Sequence, residues 1–235
     1  MANLGTETAF EILAKAKALE TQGKDIIHLE IGEPDFDTPP HIRAAGAEAL
    51  ESGFTHYTPS PGIPEVRASI AAHQTQRQGY DVSPENVVIT PGAKPIMFFT
   101  IMALIEEGDE VIYPDPGFPI YKSMIDYMGG KAVPMRLHEE NGFNADIDAL
   151  RASVNEHTNL IIINSPNNPC GSVIPRNDLA EIAEIAKSVD AVVLADEVYK
   201  DLYFEGQHES ISQFDGMRDR TVILDGMSKS YAMTG

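Results

Sequence analysis

The chain has 235 residues, 43% of them hydrophobic, and a formal net charge of -19. It is long enough for one large domain or two small ones and apolar enough to bury a core. So acidic a surface repels phosphate backbones, which argues against nucleic-acid partners, and the single cysteine excludes an intrachain disulfide. No run of about 20 apolar residues marks a membrane span, and residues 1–5 lack the pattern of a signal peptide. A soluble cytoplasmic protein is the expectation.

Residues 10–19 read as an amphipathic helix and 26–31 as a short strand leading into Gly32-Glu33-Pro34. The Pro and Gly density at 34–40 and 59–64 marks ordered, irregular connections. Residues 1–40 are therefore expected to form an N-terminal arm and part of a small domain, and 41–235 a single larger domain. Within the latter, 86–90, 110–113, 131–136, 160–164, 191–195 and 221–224 read as strands. Several are nearly continuous Val, Ile and Leu, as strands covered on both faces must be. Between them, 96–105 is apolar nearly all round and reads as a buried helix. Leu179, Ile182, Ala183 and Ala186 mark the apolar face of another. Alternating strand and helix predicts an α/β domain in three layers, α/β/α, with a mostly parallel sheet. In such sheets ligands sit at the carboxyl ends of the strands.

Four segments follow predicted strands, and each has a plain reading beside a chemical one. Thr90-Pro91-Gly92-Ala93-Lys94 opens a helix, where free backbone N–H groups and the helix dipole attract phosphate; it is also an ordinary β–α turn. The segment Asn164-Ser165-Pro166-Asn167-Asn168-Pro169-Cys170-Gly171 is a constrained turn able to aim an amide inward, or one that uses Asn for turn chemistry alone. Asp196 ends a strongly apolar strand, and a carboxylate buried there needs a positive partner such as a protonated pyridine nitrogen; it can equally cap a helix. Tyr199 lies three residues on, within reach of the same ligand. Lys229, among the small residues of Asp225–Gly235, has an amine that can form a Schiff base if its surroundings lower its basicity; most lysines are solvated surface groups.

Taken together, these segments resemble the class I and II aminotransferases of the type I pyridoxal-phosphate fold, over about residues 26–235. The likeness is to the aspartate aminotransferase branch, which carries GEPDF and SKxYAMTG strings, present here as Gly32–Phe36 and Ser228–Gly235. A Y-x(4)-G-x-P-x-x-R pattern runs from Tyr57 to Arg67. The resemblance implies that the cofactor is pyridoxal 5'-phosphate, held by a Schiff base to Lys229, whose amine then carries a proton at the substrate Cα. It implies that Asp196 keeps the pyridinium protonated, so that the ring serves as an electron sink. Asn168 and Tyr199 would bond the ring 3-oxygen and Phe118 would stack on the ring, where the family often has Trp or Tyr. Gly92, Ala93, Lys94 and Ser228 would hold the phosphate. Gly32 would meet the substrate carboxylate through its backbone. Tyr57 would reach the phosphate of a neighbouring subunit, which implies a homodimer. No residue is assigned to a metal.

The expected reaction is ping-pong transfer of an amino group from an amino acid to a 2-oxo acid, with 2-oxoglutarate the expected acceptor. A C–S β-lyase on the same scaffold is the competing enzyme reading. An aminotransferase-like sensor domain of a transcription factor is a third, opposed by the lack of a basic helix-turn-helix pattern. Cys170 stands where the family usually has Thr. The family continues past the MTG string with Trp-Arg and roughly 150 further residues. The chain is therefore expected to be a fragment whose large domain lacks one strand and the substrate-binding arginine, and which does not transaminate alone.

Overall fold

The structure, a computed structural model, describes residues 8–235; the segment inspected above for a signal peptide lies outside them. Six strands form one sheet: β1 (Glu110–Asp115), β2 (Lys131–His138), β3 (Asn144–Ala145), β4 (Thr158–Asn164), β5 (Val192–Asp196) and β6 (Thr221–Leu224). Their order is β3-β2-β1-β4-β5-β6. Every pairing is parallel except that of β2 with the two-residue β3. Among the described residues, eight α-helices accompany them: α1 (Thr8–Glu20), α2 (Pro40–Glu51), α3 (Pro64–Gln78), α4 (Lys94–Leu104), α5 (Ile120–Met128), α6 (Ile147–Ser153), α7 (Arg176–Ser188) and α8 (Met227–Ser230).

The continuous apolar strands are explained by two cores, one on each face of the sheet. Leu160 and Ile162 of β4 join Val111, Tyr113 and Leu194 in packing against Met97 and Ile101 of α4 and Tyr121 and Ile125 of α5. Ile161 and Ile163, pointing the other way by the two-residue period of a strand, pack with Ile112 and Val193 against Leu150 of α6 and Leu179, Ile182 and Ile185 of α7. Each buried aliphatic side chain contributes about 1.5–3 kcal/mol. The two cores make the expected three layers.

Two expected strands are absent, and one helix is less buried than expected. Residues 87–90 are extended, but their polar groups bond elsewhere: Arg67 Nε donates to the Val87 carbonyl at 2.8 Å and the Ile89 N–H to Pro61 O at 2.9 Å. No described strand lies alongside, and a strand exists only by its pairing. Residues 26–31 are irregular for the same reason, with Ile27 and Leu29 85% and 88% exposed. In α4, Met97, Thr100 and Ile101 are buried, while Phe99 and Met102 are about half exposed, so one face of that apolar helix is uncovered.

The chain runs from β1 through α5 to β2 on one side, then returns to place β4 on the other side of β1. From there it proceeds outward through β5 to β6. The strand order therefore reverses between β1 and β4, and a crevice opens at their carboxyl ends, where open α/β sheets bind ligands.

Candidate active site

Asp196 is the last residue of β5 and is only 7% exposed. Its Oδ2 accepts a 2.5 Å hydrogen bond from the Tyr121 hydroxyl and its Oδ1 one of 3.2 Å from the Val198 N–H. It takes part in no ion pair among the described residues. Burial pushes its carboxyl from the ordinary 3.8 up to about 6, against the pull of the Tyr121 and Val198 hydrogen bonds. The backbone then makes a turn, not a helix, so the capping reading holds only for this one N–H. Burial and the adjacent Asp196 charge push Tyr121 in turn well above its usual range.

On the neighbouring strand, Asn164 ends β4 and is 3% exposed. Its amide donates to the Asp196 carbonyl at 3.0 Å while its Oδ1 accepts from the Asn168 N–H at 2.7 Å. One side chain thus ties the Asn168 loop to the end of β5. Asn168 Nδ2 lies 3.4 Å from the Tyr199 hydroxyl, so the two residues expected to share one ligand atom already meet. Burial raises the Tyr199 phenol, as does the Asp196 charge, while the Asn168 contact lowers it. Beyond them opens a cleft of about 530 Å³ lined by Pro166, Asn168, Tyr199, Leu202, Tyr203 and Phe204. A volume of that order suits a small ligand.

The third wall comes from α8, a single turn after β6. Lys229 Nζ lies 5.7 Å from the centre of the Tyr199 ring and donates to the Gly32 carbonyl at 2.5 Å. Thr38 Oγ1 donates to Ala232 O at 2.5 Å and Thr234 Oγ1 to Glu33 at 3.0 Å, so the 32–38 segment is held along the lysine loop. Gly226 closes the other side: a Cβ placed on it would lie 3.6 Å from Ala93 Cβ, which brings the start of α8 against the start of α4.

At the start of α4, Gly92 has φ +94°, a conformation that favours glycine. Its N–H is turned to Thr90 O at 2.8 Å, so the end of the helix proper presents Ala93 and Lys94. Lys94 Nζ sits 5.8 Å over the ring of Phe118. That ring meets Tyr121 edge-on at 5.9 Å. Contacts therefore run unbroken from Lys94 through Phe118, Tyr121 and Asp196. Ser228 is half-buried in α8 beside Lys229. Tyr57 is fully exposed on the loop after α2.

Sequence reading missed Tyr121 and Asn164. Tyr121 follows Phe118 by three residues, the spacing that puts two side chains on one side of a helical turn; that was the available signal. Asn164 reads from sequence as part of a turn, and nothing local reveals that it bridges two strand ends.

Residues 24–235 match the sequence profile of the family described as Aminotransferase class I and II. An aspartate aminotransferase from Pyrococcus abyssi is 42% identical over 214 residues, covering 90% of this chain and 55% of the relative. The (5-formylfuran-3-yl)methyl phosphate transaminase of Methanocaldococcus jannaschii is 40% identical over 233 residues, 99% of this chain and 60% of the relative. The solved aspartate aminotransferase of Thermus thermophilus with maleate superposes with a TM-score of 0.95 at 36% identity, over 99% of this chain and 60% of that one. The chain thus spans between half and two thirds of the length of these proteins. With the profile covering all but the first 23 positions, this chain belongs to the class I and II aminotransferases.

Proposed function

We propose that this chain forms the cofactor-binding part of a pyridoxal-phosphate-dependent aminotransferase that moves an amino group between an L-amino acid and a 2-oxo acid by a ping-pong route. The observation that carries the reading is Asp196, a carboxylate 7% exposed, hydrogen-bonded by Tyr121 and in no ion pair among the described residues. Such a group is satisfied by a flat, cationic heterocycle that brings its own N–H. The N-terminal end of α4, an eleven-residue helix, offers a seat for the phosphate arm of that ring. The residues present therefore fit the cofactor.

When bound, the ring supplies an electron sink for the charge that develops at the substrate Cα. Asp196 holds the ring nitrogen protonated, and Tyr121 and Asn164 hold Asp196 and its strand end in place. Asn168 and Tyr199, a pair already formed, would donate toward the ring 3-oxygen. Phe118 would lie against the ring. Ala93, Lys94, Ser228 and the Gly92 turn would hold the phosphate. Lys229 would hold the cofactor by its amine and carry the proton at the substrate Cα. Gly32 meets the substrate carboxylate through its backbone. Tyr57, fully exposed, serves the neighbouring site of a homodimer. Residues 1–40 act as arm and small-domain portion, and 41–235 as the cofactor-binding domain.

The test is to incubate the full-length protein with pyridoxal 5'-phosphate and an L-amino acid while following the visible absorbance and the oxo acid released. Loss of the band with stoichiometric oxo acid supports the reading. A band that persists with no oxo acid formed removes it.

A further inference from the structure

Lys200 follows Tyr199 and carries its ammonium on a side chain only 4% exposed, yet none of the chemistry above employs it. Its Nζ lies 2.6 Å from Asp225 Oδ1 and 3.2 Å from Asp201 Oδ2. Asp225 stands just ahead of α8. Its Oδ1 also accepts the Gly226 N–H at 2.7 Å, and its Oδ2 accepts from Gln74 at 3.1 Å. Asp201 reaches the far end of the same turn, accepting from Ser230 Oγ at 2.9 Å and from Arg77 at 2.8 Å. One buried cation therefore ties Asp225, ahead of Lys229, to Asp201, which in turn holds Ser230 just after it. The two lysines and their acids come from loops that follow neighbouring strands.

Burying an ammonium is costly, and an ion pair seldom adds more stability than well-packed apolar residues of the same size. What such a cluster can supply is register. We propose that Lys200, with Asp225 and Asp201, is a positioning residue that fixes the Lys229 turn against Tyr199, so that the Lys229 amine is delivered to one place. This rests on Lys229 being the cofactor lysine. The path of action is short: Lys200 is bonded in sequence to Tyr199, whose ring centre is 5.7 Å from Lys229 Nζ.

In the full-length protein loaded with pyridoxal 5'-phosphate, the visible absorbance of the bound cofactor is titrated with pH for the wild type, Lys200→Met, Lys200→Arg and Asp225→Asn. The titration midpoint is expected to move by about one pH unit in Lys200→Met and Asp225→Asn. Cofactor release should quicken about tenfold in both, while Lys200→Arg stays near the wild type. An unmoved midpoint and release rate, even with a lower melting temperature, make the cluster purely structural and overturn the proposal. If Lys200→Met does not fold, Asp225→Asn decides the matter in the same way. Borohydride trapping of the wild type with peptide mapping tests the reading beneath. Label on another lysine overturns the proposed function and this inference together; label on Lys229 with an unmoved titration overturns this inference alone.

Discussion

The ammonium of Lys229 lies 2.5 Å from the carbonyl oxygen of Gly32, across 197 positions of sequence. A segment with no regular structure thus reaches the one lysine to which the chemistry is assigned. Contacts at Thr38 and Thr234 hold it there. Lys229→Ala removes the amine, and with it the hydrogen bond to the Gly32 carbonyl, in a half-exposed turn. It is expected to abolish transamination and the visible band of the bound cofactor while lowering stability by no more than about 1 kcal/mol. Spectra, turnover and urea denaturation of the full-length variant check all three.

Asp196 makes the cofactor-free protein sensitive to pH in an unusual direction. Its carboxyl is raised to about 6, so between 3.8 and 6 the folded state binds more protons than the unfolded one. Stability from this group is therefore lost as pH rises through that window, by up to roughly 3 kcal/mol. Asp196→Asn should flatten the loss, and added pyridoxal 5'-phosphate should raise the melting temperature more at pH 8 than at pH 5. Thermal melts across pH decide; equal stabilisation at both ends would count against a cationic partner for Asp196.

Asp201 acts in the opposite sense. Burial pushes it up, but hydrogen bonds from Ser230 and Arg77 and the charge of Lys200 outweigh that and hold it at about 2. Its contribution is present above the ordinary 3.8 and lost as pH falls toward 2. Its side chain is 37% exposed, so solvent screening limits the effect to about 1 kcal/mol. Acid denaturation of Asp201→Asn should be correspondingly shallower between pH 4 and pH 2.

Tyr121→Phe keeps the edge-on contact with Phe118 and removes only the 2.5 Å hydrogen bond to Asp196. That bond favours the ionised carboxylate, so its loss raises the Asp196 carboxyl further. The acid limb of the activity profile should move upward by about one pH unit, with at most a tenfold fall in kcat at pH 8. Initial rates across pH check the shift.

If Tyr57 serves the neighbouring subunit, a hybrid of a Tyr57→Ala chain and a Lys229→Ala chain has one intact site and one doubly altered site. Mixing the two inactive or weakened parents under conditions that exchange subunits should restore about a quarter of wild-type turnover, as random pairing dictates. No gain over the parents would place Tyr57 in its own site or outside both.

The parallel sheet is legible because burial on both faces leaves nearly unbroken apolar runs, as in β4 and β5, whereas β2 carries Pro134 and Arg136 and shows no such run. The runs at 26–31 and 86–90 carry the same residue types and form no strand, because a strand requires a partner and composition does not report one. The site divides along the same line. Lys229, Asp196, Asn168 and Tyr199 sit in local motifs. Tyr121 meets Asp196 across 75 positions and Lys200 meets Asp225 across 25, and neither pairing leaves a local signature.

One of the two edge strands, β6, bonds to β5 on one side and to no described strand on the other. Its bare row of amides and carbonyls is a template for any peptide that drifts alongside in extended form, and Ile27 and Leu29 are exposed apolar side chains on every copy. This chain should therefore self-associate as its concentration rises, and masking that rim with lysines would be the first step toward a soluble preparation.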